Sequence, residues 1–157
     1  MRLIIMGVSG SGKTAVGKAL GERLHIPFYD GDDFHSRANI EKMTNGIPLT
    51  DADRWPWLEA LAQLLKETPS MILACSALKA SYRERLKVAP DVQFIYLKGS
   101  CALIEERLKK RRGHFFNPDL LKSQFADLEE PKDALVVNIN LPLTEIVQKI
   151  VSISKMG

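Results

Sequence analysis

Gly7-Val8-Ser9-Gly10-Ser11-Gly12-Lys13-Thr14 sets a glycine, four open positions and then Gly-Lys-Thr in one unbroken stretch. Those types at that spacing suit a nucleoside triphosphate, whose charge side chains alone cannot surround. Glycines let the chain curl until successive backbone N–H groups face phosphate oxygens, and a helix starting at the end of the loop adds its partial positive charge. Gly7, Ser9, Gly10, Ser11, Gly12, Lys13 and Thr14 are therefore the candidate nucleotide-binding residues. Lys13 brings an ammonium to the outer phosphates, and the Thr14 hydroxyl is a ligand for Mg²⁺.

A second group follows at Asp30-Gly31-Asp32-Asp33. Phosphorylating a hydroxyl calls for an acceptor for the substrate proton and an anchor for the magnesium shell, and two carboxylates two residues apart can divide those tasks. Asp32 takes the first and Asp30, as metal candidate, the second; Asp33 reads as the cap of the next helix. Arg54 stands in the first turn of a helix expected from residue 51, where the helix dipole disfavours a cation. An acidic ligand would relieve it, as would pairing with Asp51 or Asp53. Arg111-Arg112-Gly113-His114-Phe115-Phe116-Asn117-Pro118 mixes cations, aromatics and a glycine between two helices. That mixture suits a lid, over about residues 112–120, that closes on phosphate and excludes water. An exposed loop with two aromatics tucked into the core is the plainer alternative.

These residues need a frame. Residues 2–6 form an apolar run before the loop, and Val16, Ala19, Leu20 and Leu24 recur at helical spacing after it, giving strand, loop, helix. Further strands are expected at residues 27–30, 71–75, 92–97 and 135–139. Helices are expected at about 34–44, from 51 onward, after Lys79, at 102–108 with the basic stretch beyond it, at 120–128 and at 142–153. The last of these turns Leu143, Ile146, Val147, Ile150 and Val151 inward. Met71-Ile72-Leu73-Ala74-Cys75 is apolar throughout, as a strand covered on both faces must be. Five strands with helices between them make a three-layer α/β sandwich, the P-loop NTPase fold, with a five-stranded parallel sheet in the expected order 2-3-1-4-5. Ligands then bind beyond the carboxyl ends of the strands.

Composition narrows the class. Residues 1–157 are expected as one domain, long enough to bury a core without staples, and 45% apolar with 26% charged residues is ordinary for a globular protein. A net charge of +3 is too small an excess for a nucleic-acid footprint. Lys109-Lys110-Arg111-Arg112 is explained as well by a small anion or by a solvated helix end. Cys75 and Cys101 have no Cys or His at metal-ligand spacing, and Cys75 reads as a small core residue. No apolar segment is long enough for a membrane span and no leader-type segment precedes the loop, so a cytoplasmic setting with neither membrane nor nucleic-acid partner is expected.

The loop alone names no reaction. An Asn-Lys-x-Asp guanine reader is missing from the sequence, and motor ATPases need more chain. Several blocks go further: Asp30-Gly31-Asp32-Asp33-Phe34-His35, Asn39-Ile40-Glu41-Lys42-Met43, Gly46-Ile47-Pro48-Leu49, Asp51-Ala52-Asp53-Arg54-Trp55-Pro56-Trp57-Leu58, Cys75-Ser76-Ala77-Leu78-Lys79, Gly113-His114-Phe115-Phe116, Ser123-Gln124-Phe125 and Leu128-Glu129-Glu130-Pro131. Together they resemble the gluconate kinase family, which is related to shikimate kinase and to nucleoside monophosphate kinases. The resemblance implies ATP-dependent phosphorylation of D-gluconate to 6-phosphogluconate, the cofactors ATP and Mg²⁺, and a homodimer. On that basis Lys13, Asp32, Arg111 and Arg112 are expected to act on the transferring phosphoryl group, and Asp32, His35, Arg54, Lys79 and His114 to hold the acceptor. Ser36 stands where the family usually has proline, and Asn138 and Asn140 where acids are common. Two rivals remain: a related kinase acting on another sugar acid or a shikimate-like acceptor, and a nucleotide-dependent regulatory or RNA-binding protein.

Overall fold

The computed structural model describes residues 1–110 and 118–154. Five parallel strands, β1 (Arg2–Met6), β2 (Phe28–Asp30), β3 (Met71–Ala74), β4 (Val92–Lys98) and β5 (Leu135–Asn138), form one sheet in the order β2-β3-β1-β4-β5. That is the order expected from the pattern of elements. Asp30 of β2 lies beside Ala74 of β3, and Ala74 beside Ile5 of β1, so the three chains leave the sheet at nearly the same level. The loops carrying the candidate residues therefore emerge side by side.

Among the described residues six helices connect the strands, α1 (Lys13–Leu24), α2 (Arg37–Thr44), α3 (Asp51–Glu67), α4 (Ala80–Leu86), α5 (Cys101–Lys110) and α6 (Pro118–Asp127), and α7 (Leu143–Ser154) follows β5. Alternate strand residues face opposite layers, as the two-residue repeat of a strand requires. Leu3, Ile5, Ile72, Ile95, Leu97 and Val137 pack with Val16 and Leu20 of α1, Ile104 of α5 and Ile150 of α7. Ile4, Met6, Met71, Leu73, Phe94 and Tyr96 pack with Leu58, Leu61 and Leu65 of α3 and Leu86 of α4. Both faces of the central strands β1 and β3 are covered, which is why Leu3 to Met6 and Met71 to Ala74 read as unbroken apolar runs. Cys75 is buried, and burial pushes its thiol up to about 12, leaving it inert. No described helix is long and apolar enough to cross a membrane.

Local structure departs from expectation in four places. The helix expected over 34–44 is divided into a 3₁₀ turn, Gly31–Phe34, and then α2. Asp30 caps the turn and Ser36 caps α2; Asp33, inside the turn, caps neither, because a capping oxygen must precede the N–H groups it accepts from. α6 begins at Pro118, two residues before the expected start and within the stretch taken for a lid; proline's fixed φ suits a first helical position. Leu143, expected inward, is 43% exposed, while Ile146, Val147, Ile150 and Val151 are buried.

Candidate active site

The loop between β1 and α1 bends through glycines that hold φ values closed to most side chains, +83° at Gly10 and +95° at Gly12, the latter capping α1. Lys13 curls back over the loop, its Nζ donating to Gly7 O at 2.9 Å and Val8 O at 3.0 Å. The Ser9 N–H donates to Gln124 Oε1 of α6 at 2.6 Å. Ser11 is buried, and its hydroxyl has no hydrogen-bond partner among the described residues. It fills the space beside Gly7, where an added Cβ would come within 2.8 Å of Ser11 Oγ.

The acids are fixed by the end of β2. Thr14 Oγ1 donates to Asp30 Oδ2 at 3.0 Å, and the Asp32 N–H donates to Asp30 Oδ1 at 3.0 Å. Two oxygen donors beside a phosphate loop fit Mg²⁺, which keeps several waters and takes one or two protein oxygens plus phosphate. No cluster of three or more metal-ligating His, Cys, Asp or Glu side chains occurs among the described residues, so a fully protein-caged metal is not built there. Gly31 passes so close to β3 that a Cβ would lie 2.6 Å from Ala74 O. Its carbonyl accepts from Trp57 Nε1 of α3 at 2.7 Å.

Asp32 is open to solvent, yet enough protein surrounds its carboxyl for burial to raise its pKa. Lys13 opposes that rise, and the charges of Asp30 and Asp33 add to it. His35 moves the other way, lowered to about 4 by burial and then by the Arg54 charge, so the ring is neutral near pH 7. Asn39 Nδ2 lies 3.3 Å from His35 Nδ1. An amide nitrogen only donates, so Nδ1 accepts and the ring proton sits on Nε2.

Arg54 is 7% exposed and belongs to a polar cluster linking α3, α4 and α6. Its Nη1 donates to Tyr82 Oη at 3.0 Å and to Asp127 Oδ2 at 2.9 Å. Neither Asp51 nor Asp53, the sequence-level alternatives, takes it. Asp53 instead closes a capping box with Thr50 and binds Lys42, while Asp51 accepts from Lys79 at 2.9 Å and from the Tyr82 hydroxyl. Burial alone would lower the guanidinium's pKa, but the hydrogen bonds to Tyr82 and Asp127 outweigh it.

Ser9, Lys13, Asp32, His35, Arg54, Trp57, Ser76 and Gln124 line one cleft of about 200 Å³ at the carboxyl ends of β1, β2 and β3. The structure thus brings together Lys13, Asp32, His35 and Arg54. Lys79 is not among the lining residues and instead pairs with Asp51 and lies over the Tyr82 ring in the polar cluster. Arg111, Arg112 and His114, and the expected lid as far as residue 117, lie outside the described residues. A cavity of about 250 Å³ opens at the amino ends of the strands, but its walls are mainly Leu3, Phe94, Leu135 and Ile150, and its Lys87 and Asp133 pair with each other. It offers nothing that could move a phosphoryl group. Four contributors, Trp57, Tyr82, Gln124 and Asp127, were not legible as site residues. Their traces in the sequence are the family-like blocks that contain Trp57 and Gln124, and the three-residue spacing of Gln124 and Asp127, which puts both on one face of α6.

The family model described as shikimate kinase matches residues 9–152. The thermoresistant gluconokinase of Escherichia coli strain K12 is 47% identical over 163 residues, covering 98% of this chain and 93% of that protein. The thermosensitive gluconokinase of the same strain is 43% identical, covering 93% of this chain and 83% of that protein. Among solved structures, a gluconokinase from Sinorhizobium meliloti 1021 superposes with a TM-score of 0.90 at 44% identity, covering 96% of this chain and 89% of that one.

Proposed function

The chain belongs to the gluconokinase family and phosphorylates gluconate with ATP, and we propose that the cleft at the carboxyl ends of β1, β2 and β3 carries out the transfer. The observation that supports this most directly is that Lys13, Asp32 and Arg54 line one cleft. Phosphoryl transfer asks little covalent work of the protein, so positioning and charge neutralisation supply most of the rate.

The acceptor is D-gluconate, bound with its terminal hydroxyl toward the donor and its carboxylate toward Arg54, the buried cation able to offset it. The neutral ring of His35 offers Nε2–H to a hydroxyl of the chain. As the terminal oxygen forms its bond to the γ-phosphorus and the bond to ADP breaks, Asp32 takes the hydroxyl proton. Its raised pKa makes it a better acceptor than an ordinary carboxylate. Lys13 leaves the loop carbonyls for the phosphates, and the backbone of the Gly7 to Thr14 loop surrounds them. Thr14 and Asp30 are the residues that would hold Mg²⁺, which would supply neutralisation of phosphate charge there. Arg111 and Arg112 are assigned to the transferring phosphoryl group and His114 to the acceptor hydroxyls, and Lys79 holds Asp51 beside the Arg54–Tyr82 pair. The products are 6-phosphogluconate and ADP, made by a cytoplasmic homodimer.

An ATP-consumption screen across sugar acids, shikimate and nucleoside monophosphates tests the acceptor. Turnover selective for gluconate is expected; faster turnover of shikimate or of a nucleotide would refute it.

A further inference from the structure

Helix α6 reaches both halves of the cleft through two side chains. Gln124 Oε1 accepts the Ser9 N–H of the phosphate loop at 2.6 Å, and Asp127 Oδ2 accepts from Arg54 at 2.9 Å. Each group is of the kind that a ligand brings to that spot: an oxygen acceptor for a phosphate-loop N–H, and a carboxylate for the buried guanidinium. Just past its last residue the helix is tied to the loop after β3 and to α4. The Glu129 N–H donates to Leu78 O at 2.8 Å, its carboxylate accepts from the Ala80 N–H at 2.7 Å, and its carbonyl accepts from Arg83 at 2.8 Å. One end of α6 is therefore moored to the loop after β3, while its inner face holds two polar contacts where ligands belong.

We propose that Gln124 and Asp127 are built-in stand-ins for the two ligands, the amide oxygen for a phosphate oxygen of the nucleotide and the carboxylate for that of the sugar acid. Each ligand then displaces one contact of α6 and lowers what remains for the other ligand to displace. A ligand shifts a conformational equilibrium only by its differential affinity for the two states, and here the differential is the contact it replaces. The coupling must be reciprocal: nucleotide tightens acid by the same factor as acid tightens nucleotide. The acid half rests on the proposed function, whereas the nucleotide half stands on the phosphate loop alone.

The test is equilibrium binding to the whole chain of a non-hydrolysable ATP analogue with Mg²⁺, and of gluconate, each alone and with the other saturating. The wild-type protein is expected to show mutual tightening of roughly fivefold or more. Gln124→Ala, and Gln124→Met, which keeps the length but removes the oxygen, should bind the analogue alone at least several-fold tighter and lose most of the coupling. Asp127→Asn should do the same for gluconate alone, with the melting temperature confirming that each variant folds. Independent binding in the wild type overturns the proposal, as does unchanged or weaker analogue binding in both Gln124 variants. Weaker gluconate binding in Asp127→Asn would make Asp127 a positioning residue for Arg54 and overturn its stand-in role. If the wild type takes up no gluconate at all, the acceptor assignment fails, and the Gln124 arm with nucleotide still decides.

Discussion

The imidazole of His35 lies flat on the indole of Trp57, with ring centroids 4.2 Å apart and planes 13° from parallel. The same indole donates its N–H to Gly31 O at 2.7 Å, so one side chain of α3 braces the chain on both sides of Asp32. A neutral ring stacks there without the desolvation penalty of a charged one.

That relationship has a pH signature. His35 binds a proton near 6.5 when unfolded and only near 4 in the fold, so between those values the unfolded chain holds more protons. Stability from this group is complete above about pH 6.5 and is lost as the pH falls toward 4. Melting temperatures of wild type and His35→Gln, compared from pH 4 to 7, should show the steeper acid loss in the wild type. Parallel curves would mean that the ring titrates alike in both states.

Asp32→Asn should cut kcat by roughly 10²- to 10⁴-fold, the usual contribution of a positioned general base, while ATP-analogue affinity changes little. Wild-type kcat should also fall on the acid side with a midpoint above the ordinary carboxylate value of 3.8, since burial raises this group. A raised carboxylate pKa weakens the fold as the pH rises through it, so the asparagine variant should melt slightly higher at pH 7. Equal losses of kcat and of nucleotide binding would remove Asp32 from the proton-accepting role.

Arg54→Ala removes the buried cation and leaves Asp127 and Tyr82 short of a donor. KM for gluconate should rise roughly 10- to 100-fold, the loss of one or two charge-assisted hydrogen bonds, with nucleotide affinity retained. Arg54→Lys restores the charge but not the planar guanidinium or its reach to Tyr82 and Asp127, and should recover only part. Unchanged saturation by gluconate in the alanine variant would take Arg54 out of the acceptor pocket.

Gly31→Ala tests whether close packing, rather than turn chemistry, fixes the acid segment. The added methyl would lie 2.6 Å from Ala74 O, a backbone atom that cannot swing away, so the segment must shift. A cost of about 1–3 kcal/mol in unfolding free energy is expected, together with lower kcat because Asp32 follows directly. Full stability with full activity would show that β2 and β3 can part there freely.

The phosphate loop and the five strands were legible because they depend on local pattern: apolar runs, helical spacing, and glycines where φ must be positive; the strand order, a long-range property, was legible only through the fold class that the alternation of strands and helices implied. The pair Asp30 and Asp32 was legible for the same reason, since both follow one strand. Arg54 was visible as a misplaced cation, but its partner was not, because Asp127 lies 73 residues along the chain and only the tertiary fold brings the end of α6 near the start of α3. The environment of Asp32 likewise came from the fold: a sequence lists carboxylates, whereas their pKa values depend on how much water the surrounding elements exclude. Gln124 reads as a surface helix residue until α6 is set against the phosphate loop. What the sequence determined was therefore the set of chemical groups and the strand ends that carry them. Which of those groups meet was decided by long-range packing, because side-chain contact is a property of distance in space and not of separation along the chain.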